Sequence, residues 1–229
     1  MNSRLKSLIC LTMICGSLLV MAISCKKASD ESETVTDVDG NVYKTVIIGT
    51  QTWLAENLRT TKYNDGIQIP LVADGASWAA LTTPGYCWYD NNTANKSIYG
   101  GLYNWYVVNT GKLCPAGWHV PTDPEFMVLV DFLGSHLMAG GKLKEKGTSH
   151  WLSPNTDATN ESGFTALPGG ARSGDNGYFA EIGTGAHFWT NSSFNEADAQ
   201  YIGLSNTAGV VYRTNSNKGN AFSVRCLKD

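Results

Sequence analysis

The sequence predicts an α+β domain of short strands, one or two helices and long loops, carried behind an export signal. Three observations point there. Val35–Asn41 and Val42–Ile48 flank an Asp39-Gly40 turn, Thr122 opens a segment with a helix-start signature, and six short segments separated by Gly, Asn and Ser follow it. An Asp-Gly pair between alternating apolar runs is a strong hairpin signal. A second turn follows at Gly49–Thr52, and Trp53–Leu58 reads as one short helical turn. Residues 59–85 carry no periodicity; Tyr86–Tyr89 and Leu102–Val108 read as strands joined by the polar stretch Asp90–Ser97.

The clearest helix starts after Pro121. Thr122-Asp123-Pro124-Glu125 is a capping box with proline in the first turn. Phe126, Leu129, Val130, Leu133 and Leu137 then recur at the spacing of one buried face, and Gly140-Gly141 closes the pattern. Beyond it, Phe164–Leu167, Gly177–Ile182, His187–Asn191, Ala199–Leu204, Val210–Thr214 and Ala221–Leu227 read as strands of a sheet built late in the chain.

The N-terminus has a different character. Arg4 and Lys6 precede an uncharged run from Ser7 to Ser24, which ends abruptly at Cys25-Lys26-Lys27. Basic residues, an apolar run and small residues at its end are the marks of a secretory signal. About 18 apolar residues could also just span a bilayer, so an uncleaved anchor and a plain secreted protein are the alternatives. Ala22-Ile23-Ser24-Cys25 resembles a bacterial lipobox, with Ala22 in place of the usual leucine. That resemblance implies cleavage after Ser24 and a diacylglyceryl thioether on Cys25. Residues 25–36 (CKKASDESETVT) hold no aromatic side chain and read as a flexible tether. Asp30, Glu31 and Glu33 resemble the acidic surface-export signal of Bacteroidetes lipoproteins, although Lys27 stands where acid is expected. The expected location is the cell envelope, lipid-anchored at the outer membrane with display at the surface.

Removing the signal takes two of the 17 basic residues and none of the 20 acidic ones, so the mature formal charge is −5. With no basic run beyond Lys142–Lys146, which reads as a solvated helical face, nucleic acid is excluded as a partner. All seven Trp and all ten Tyr lie in the mature part, with 23 of the 24 Gly. Three cysteines remain besides Cys25, namely Cys87, Cys114 and Cys226. An oxidising compartment favours pairing, and an odd number leaves one thiol over.

Seven ordered blocks carry a family likeness. They are QTWLAENL (51–58), YGGLYNW (99–105), CPAGWHVPT (114–122), GKLK (141–144), GFTALPGGAR (163–172), FWT (188–190) and SVRC (223–226). Together they resemble the Fibrobacter succinogenes major paralogous domain over Val35–Asp229, which delimits residues 37–229 as the domain. The resemblance implies a Cys114–Cys226 disulfide and a free, buried Cys87. More distantly, Gly117–Thr122 opening a helix, followed by late strands ending at Val224-Arg225-Cys226, is similar to the superfamily of C-type lectins and formylglycine-generating enzymes. That likeness implies a C-type-lectin-like fold with its terminal strands side by side.

No activated constellation suggests an enzyme. The four histidines, at 119, 136, 150 and 187, form no zinc-type pair, and His119 reads as a structural histidine. The cysteine pair of formylglycine-generating enzymes is absent beside Cys226. C-type lectins hold calcium with Glu-Pro-Asn or Gln-Pro-Asp plus Trp-Asn-Asp; the nearest string here, Trp189-Thr190-Asn191, lacks the carboxylate. No metal and no cofactor are therefore expected, and Asp90–Asn92 and Asp175–Gly177 read as polar turns. A calcium-independent sugar site needs exposed aromatic rings beside hydrogen-bonding groups. Trp78, Trp88, Trp151 and Tyr178 are the candidates because they fall in or near loops, whereas Trp53, Trp105, Trp118 and Trp189 lie in the family blocks and read as core. Arg172 and Arg225 read as structural, through ion pairs or backbone carbonyls. The expected role is non-catalytic binding of a glycan or extracellular polymer, with a structural role toward a protein partner as the alternative.

Overall fold

The structure, a computed structural model, describes residues 33–229. The signal segment, Cys25 and the tether up to Ser32 lie outside the described residues. The hairpin forms as its turn predicts: β1 (Thr34–Thr36) pairs antiparallel with β2 (Val42–Ile48). Strand pairing thus claims the last three residues assigned to the tether. Asp37 stitches the turn, its Oδ1 accepting from the backbone N–H of Asp39 and Asn41 at 2.9 Å. The helical turn expected at Trp53 is instead β3 (Gln51–Leu54). Its local pattern loses to sheet pairing: Trp53 sits opposite Val46 on one side and Leu227 on the other.

A short helix, α1 (Gly75–Ala79), interrupts the first long loop, and β4 (Tyr86–Cys87) follows. Two 3-10 turns lead into α2 (Lys96–Tyr99). The strand expected over Leu102–Val108 stops early, as β5 (Leu102–Asn104). Asn104 then caps α3 (Trp105–Val108), its Oδ1 accepting from the Val107 N–H at 3.2 Å; a side-chain acceptor at that position turns strand into helix. After β6 (Trp118–His119), α4 (Asp123–Phe132) begins with both bonds of the capping box present. Phe126, Leu129 and Val130 are buried, but Leu137 is 63% exposed. Gly134, at φ +116°, breaks the helix, and α5 (His136–Leu143) leaves at a bend of 86°. Gly140-Gly141 therefore sits inside a helix. A Cβ there would come within 2.4 Å of the Val210 carbonyl and 2.3 Å of the Asp157 carbonyl, so the pair serves close backbone approach rather than termination.

The late strands are β7 (Gly169–Arg172), β8 (Phe179–Ile182), β9 (Gly185–Ser193), β10 (Asp198–Ser205), β11 (Tyr212–Asn217), β12 (Ala221–Phe222) and β13 (Leu227–Lys228). Phe164–Leu167 is not a strand; Ala166 makes only an isolated bridge to Lys144. Ala221–Leu227 divides between two sheets. Three antiparallel sheets result, in the orders β1-β2-β3-β13-β6, β4-β5-β12-β7-β8 and β11-β10-β9. The domain is sheet-rich with five short helices, more β than the α+β balance expected. Among the described residues no single helix is long and apolar enough to cross a membrane.

Trp53, Trp105, Trp118 and Trp189 fill the core. Trp53 meets Phe126 edge-on at 5.1 Å between ring centres, and Phe164 at 5.7 Å. Buried cations do as much to organise the loops. Lys144, which its sequence context placed on a solvated face, is fully buried, and its Nζ donates to the carbonyls of Thr156, Ser205 and Ala208 at 2.8–2.9 Å. Arg172 donates to the carbonyls of Gly177, Val72 and Ala73.

Cys114 and Cys226 form a disulfide, as the family likeness implied, at a sequence separation of 112. Cys87 is free and buried, and burial pushes its thiol up to about 12. Native protein should thus react with Ellman's reagent at no site among Cys87, Cys114 and Cys226, and unfolded protein at Cys87 alone. Replacing both Cys114 and Cys226 with Ser should lower stability by about 4–5 kcal/mol, the chain entropy of a loop this long, as measured by denaturant titration.

Candidate functional site

The third sheet builds an open groove. Across it His187 on β9 lies opposite Gly203 on β10, which lies opposite Tyr212 on β11. The next row on the same face is Trp189, Tyr201 and Thr214, because side chains two apart in a strand share a side and directly paired residues stand together. Gly203 leaves a slot in this surface. A Cβ there would lie 3.4 Å from the Tyr201 ring, 3.6 Å from Tyr212 and 3.7 Å from His187 Nδ1, so the space between the three rings stays open for want of a side chain.

The second sheet closes one side. Glu181, near the end of β8, holds a left-handed backbone at φ +66° and places its Oε2 2.5 Å from His187 Nε2. The hydrogen bond from His187 holds the Glu181 carboxyl below the usual carboxylate range, against the opposing effect of burial. The imidazole rests against Phe222 at 5.1 Å and Tyr201 at 5.6 Å. Since a carboxylate can only accept here, Nε2 carries the proton in the neutral ring, and Nδ1 presents a lone pair. That Nδ1 is buried and has no protein partner. Burial, with Glu181 nearby, raises the pKa of Tyr201 and keeps its phenol neutral.

Two hollows of about 280 and 270 Å³ meet at Glu181, His187 and Tyr201. One continues past Tyr212 to Ser205 and Asn206, the other past Tyr178 to Asp175 and Asn220. Tyr178 and Tyr212 are 74% and 47% exposed. The result is a surface with ring faces at intervals and hydroxyl, amide, carboxylate and imidazole groups between them. It can stack on a flat apolar face while exchanging hydrogen bonds with polar edges. Among the described residues no group of three or more His, Cys, Asp or Glu side chains could hold a metal ion.

Of the four aromatic residues proposed from the sequence, only Tyr178 reaches this groove. Trp78 and Trp151 are fully buried and Trp88 is 5% exposed; none can stack on a ligand. Loop position misled here because the loops themselves are packed. The Trp78 N–H donates to the Gly219 carbonyl at 3.1 Å and the Trp151 N–H to the Ala166 carbonyl at 2.9 Å, so each indole anchors a loop from beneath. Cys25 lies outside the described residues. His187, Glu181, Tyr201 and Tyr212 were missed. Alternation could have put His187 with Trp189, and Tyr201 with Gly203, but which strands pair and in what register is not local information. His119 is held by Asp229 and Glu125 at 2.6 and 3.2 Å, a structural arrangement.

The Fibrobacter succinogenes major domain matches this chain over residues 46–228. The chain belongs to that family. Among curated proteins and among solved structures, nothing matches it. The blocks that carried the likeness now have places in a family member's fold: FWT lies in β9 of the groove sheet, and GGAR is β7, beside the strand that supplies Glu181.

Truncation separates the two kinds of aromatic residue. Trp78→Ala or Trp151→Ala should cost about 3–5 kcal/mol, as for large-to-small changes in a core. Tyr178→Ala should stay within about 0.5 kcal/mol of wild type. Urea unfolding of the three variants checks this.

Proposed function

We propose that this protein is a lipid-anchored component of the bacterial cell envelope that binds a glycan or other extracellular polymer, without catalysis, in the groove of its third sheet. One observation carries the reading: tyrosine rings at 178, 201 and 212 border an open groove lined between them by polar groups, among them Glu181, Asp175, Ser205 and Asn206. Sugars offer the complement, with an apolar ring face and hydroxyl donors around its edge. An open groove, rather than an enclosed pocket, suits a chain.

The anchor and the outer-membrane location rest on the Arg4–Lys6 cluster, the apolar run and the lipobox-like Ala22–Cys25. We read the architecture as distantly lectin-like, a reading supported by the terminal strand β13 pairing with β3 near the start of the domain. The alternative role toward a protein partner draws support from a different surface, where Phe132, Leu137 and Met138 are exposed at the α4–α5 bend.

Glycan-array screening of the mature protein should give hits that fall at least about tenfold in Gly203→Val, which fills the slot with a strand-compatible side chain, and in Tyr212→Ala. Hits that survive both changes place binding elsewhere; an array without hits rejects the glycan. Mass spectrometry of the protein extracted from membranes should show an acylated Cys25. An unmodified N-terminus rejects the anchor.

A further inference from the structure

A second cavity, of about 290 Å³, shares no residue with the groove. Four of the family blocks meet around it, contributing Asn57, Gly100, Thr165 and Arg225 among others. Its charge runs against that of the chain. Arg59, Lys96 and Arg225 line it with Glu56 as the single carboxylate, in a protein of formal net charge −3. Glu56 is already spoken for. Burial pushes its carboxyl up, but the Lys44 N–H, the Arg59 guanidinium at 2.8 Å and the field of Arg225 together hold it below the usual range.

Arg225 is the unusual member. It is 1% exposed, and no carboxylate lies within ion-pair distance of it among the described residues. Its Nε donates to Asn57 Oδ1 at 2.7 Å, Nη1 to the carbonyls of Leu54 and Phe164, and Nη2 to the Thr165 carbonyl at 2.9 Å. A guanidinium has five N–H groups; these four bonds leave one on Nη2 without a protein acceptor. Burial draws the group down to about 9, so a counter-charge would be worth more here than at the surface. One more donor shares the lining: Lys96 forms no ion pair among the described residues, its Nζ lying over the Trp88 ring at 5.4 Å.

We propose that this cavity is an anion site for a small carboxylate of about one sugar ring in size, its charge received by the free N–H of Arg225 and by Lys96. The volume, near the lower end of ligand pockets at about 300 Å³, gives room for one such unit. The carboxylate could belong to a sugar acid or to an acylated amino acid, and the cavity's chemistry serves both.

Isothermal titration of the mature protein with sodium glucuronate, N-acetylglycine and glucose tests this. One or both carboxylates should bind, more weakly as sodium chloride is raised, and glucose should not. Because Arg225 holds four acceptors in place, its replacement confounds folding, and Lys96→Glu is the better probe: the residue lies on a solvent-facing helix. That variant should keep its melting temperature and lose at least about tenfold in affinity, while Gly203→Val binds as wild type. The proposal is overturned if neither carboxylate binds, if glucose binds equally well, or if Lys96→Glu binds unchanged.

Discussion

A carbonyl group buried in a loop must find a donor, and in this protein cationic side chains supply many of them. Strand and helix satisfy their own backbone; the long connections between these short elements cannot. Arg225 takes carbonyls from the β3 end and from residues 164–165. Arg172 ties residues 72–73 to Gly177. Lys144 joins the loop at Thr156 to the end of β10 and its turn at Ser205 and Ala208, and Lys218 holds the carbonyls of Asn195 and Glu196. Burying a cation costs several kcal/mol, and a hydrogen bond from a charged donor returns roughly 1.5–3 kcal/mol. Three or four such bonds balance that at Lys144, Arg172 and Arg225, whereas Lys218 makes two and adds the face of the Trp105 ring. This is how the first three are buried without carboxylates, and why each joins segments distant in sequence.

The groove inherits its rigidity from these ties. Lys144 fixes Ser205 and Ala208, the end of β10 and the turn after it, so the strand that carries Tyr201 and Gly203 is clamped at its exit. Lys218 does the same between β11 and β12, with its ammonium 4.7 Å from the Trp105 ring centre. Beneath the groove, Phe222 packs against Trp189 at 4.4 Å and Tyr201 at 4.7 Å. Four residues further on, the Cys226 sulfur is bound to Cys114. A surface made of short strands can therefore keep its row of rings in register although neither flanking loop is regular.

Local signals in the sequence were legible where the physics is local. The Asp39-Gly40 turn and the capping box at Thr122 each complete their bonds within a few residues, and both formed where expected. The Cys114–Cys226 pairing came from family likeness, not from spacing. Trp53–Leu58 failed as a helix because Trp53 is held between two strands, opposite Val46 across the turn at Gly49 and opposite Leu227, which lies far away in the chain. Gly140-Gly141 reads as a stop signal unless one knows that Val210 and Asp157 press against it. Trp78, Trp88 and Trp151 illustrate the same limit: a loop position predicts exposure only when nothing lies over the loop. Of the groove, one tyrosine was visible in advance. The slot at Gly203 exists only through the pairing of three strands, and no single segment encodes it.

Gly203 and Arg225 show how the two proposed binding surfaces differ in kind. At Gly203 a missing side chain creates space between rings that are otherwise held apart, so the recognition proposed there depends on shape and on stacking against those rings. At Arg225 a fully buried cation is saturated except for one N–H, so recognition depends on charge. The first is tuned by size, since even a Val fills it. The second is tuned by the field around it, since Glu56 is cancelled by Arg59 and Lys96 stands unpaired. Because the two linings share no residue, a change in one should leave the other intact, and each can be lost without the fold that carries both.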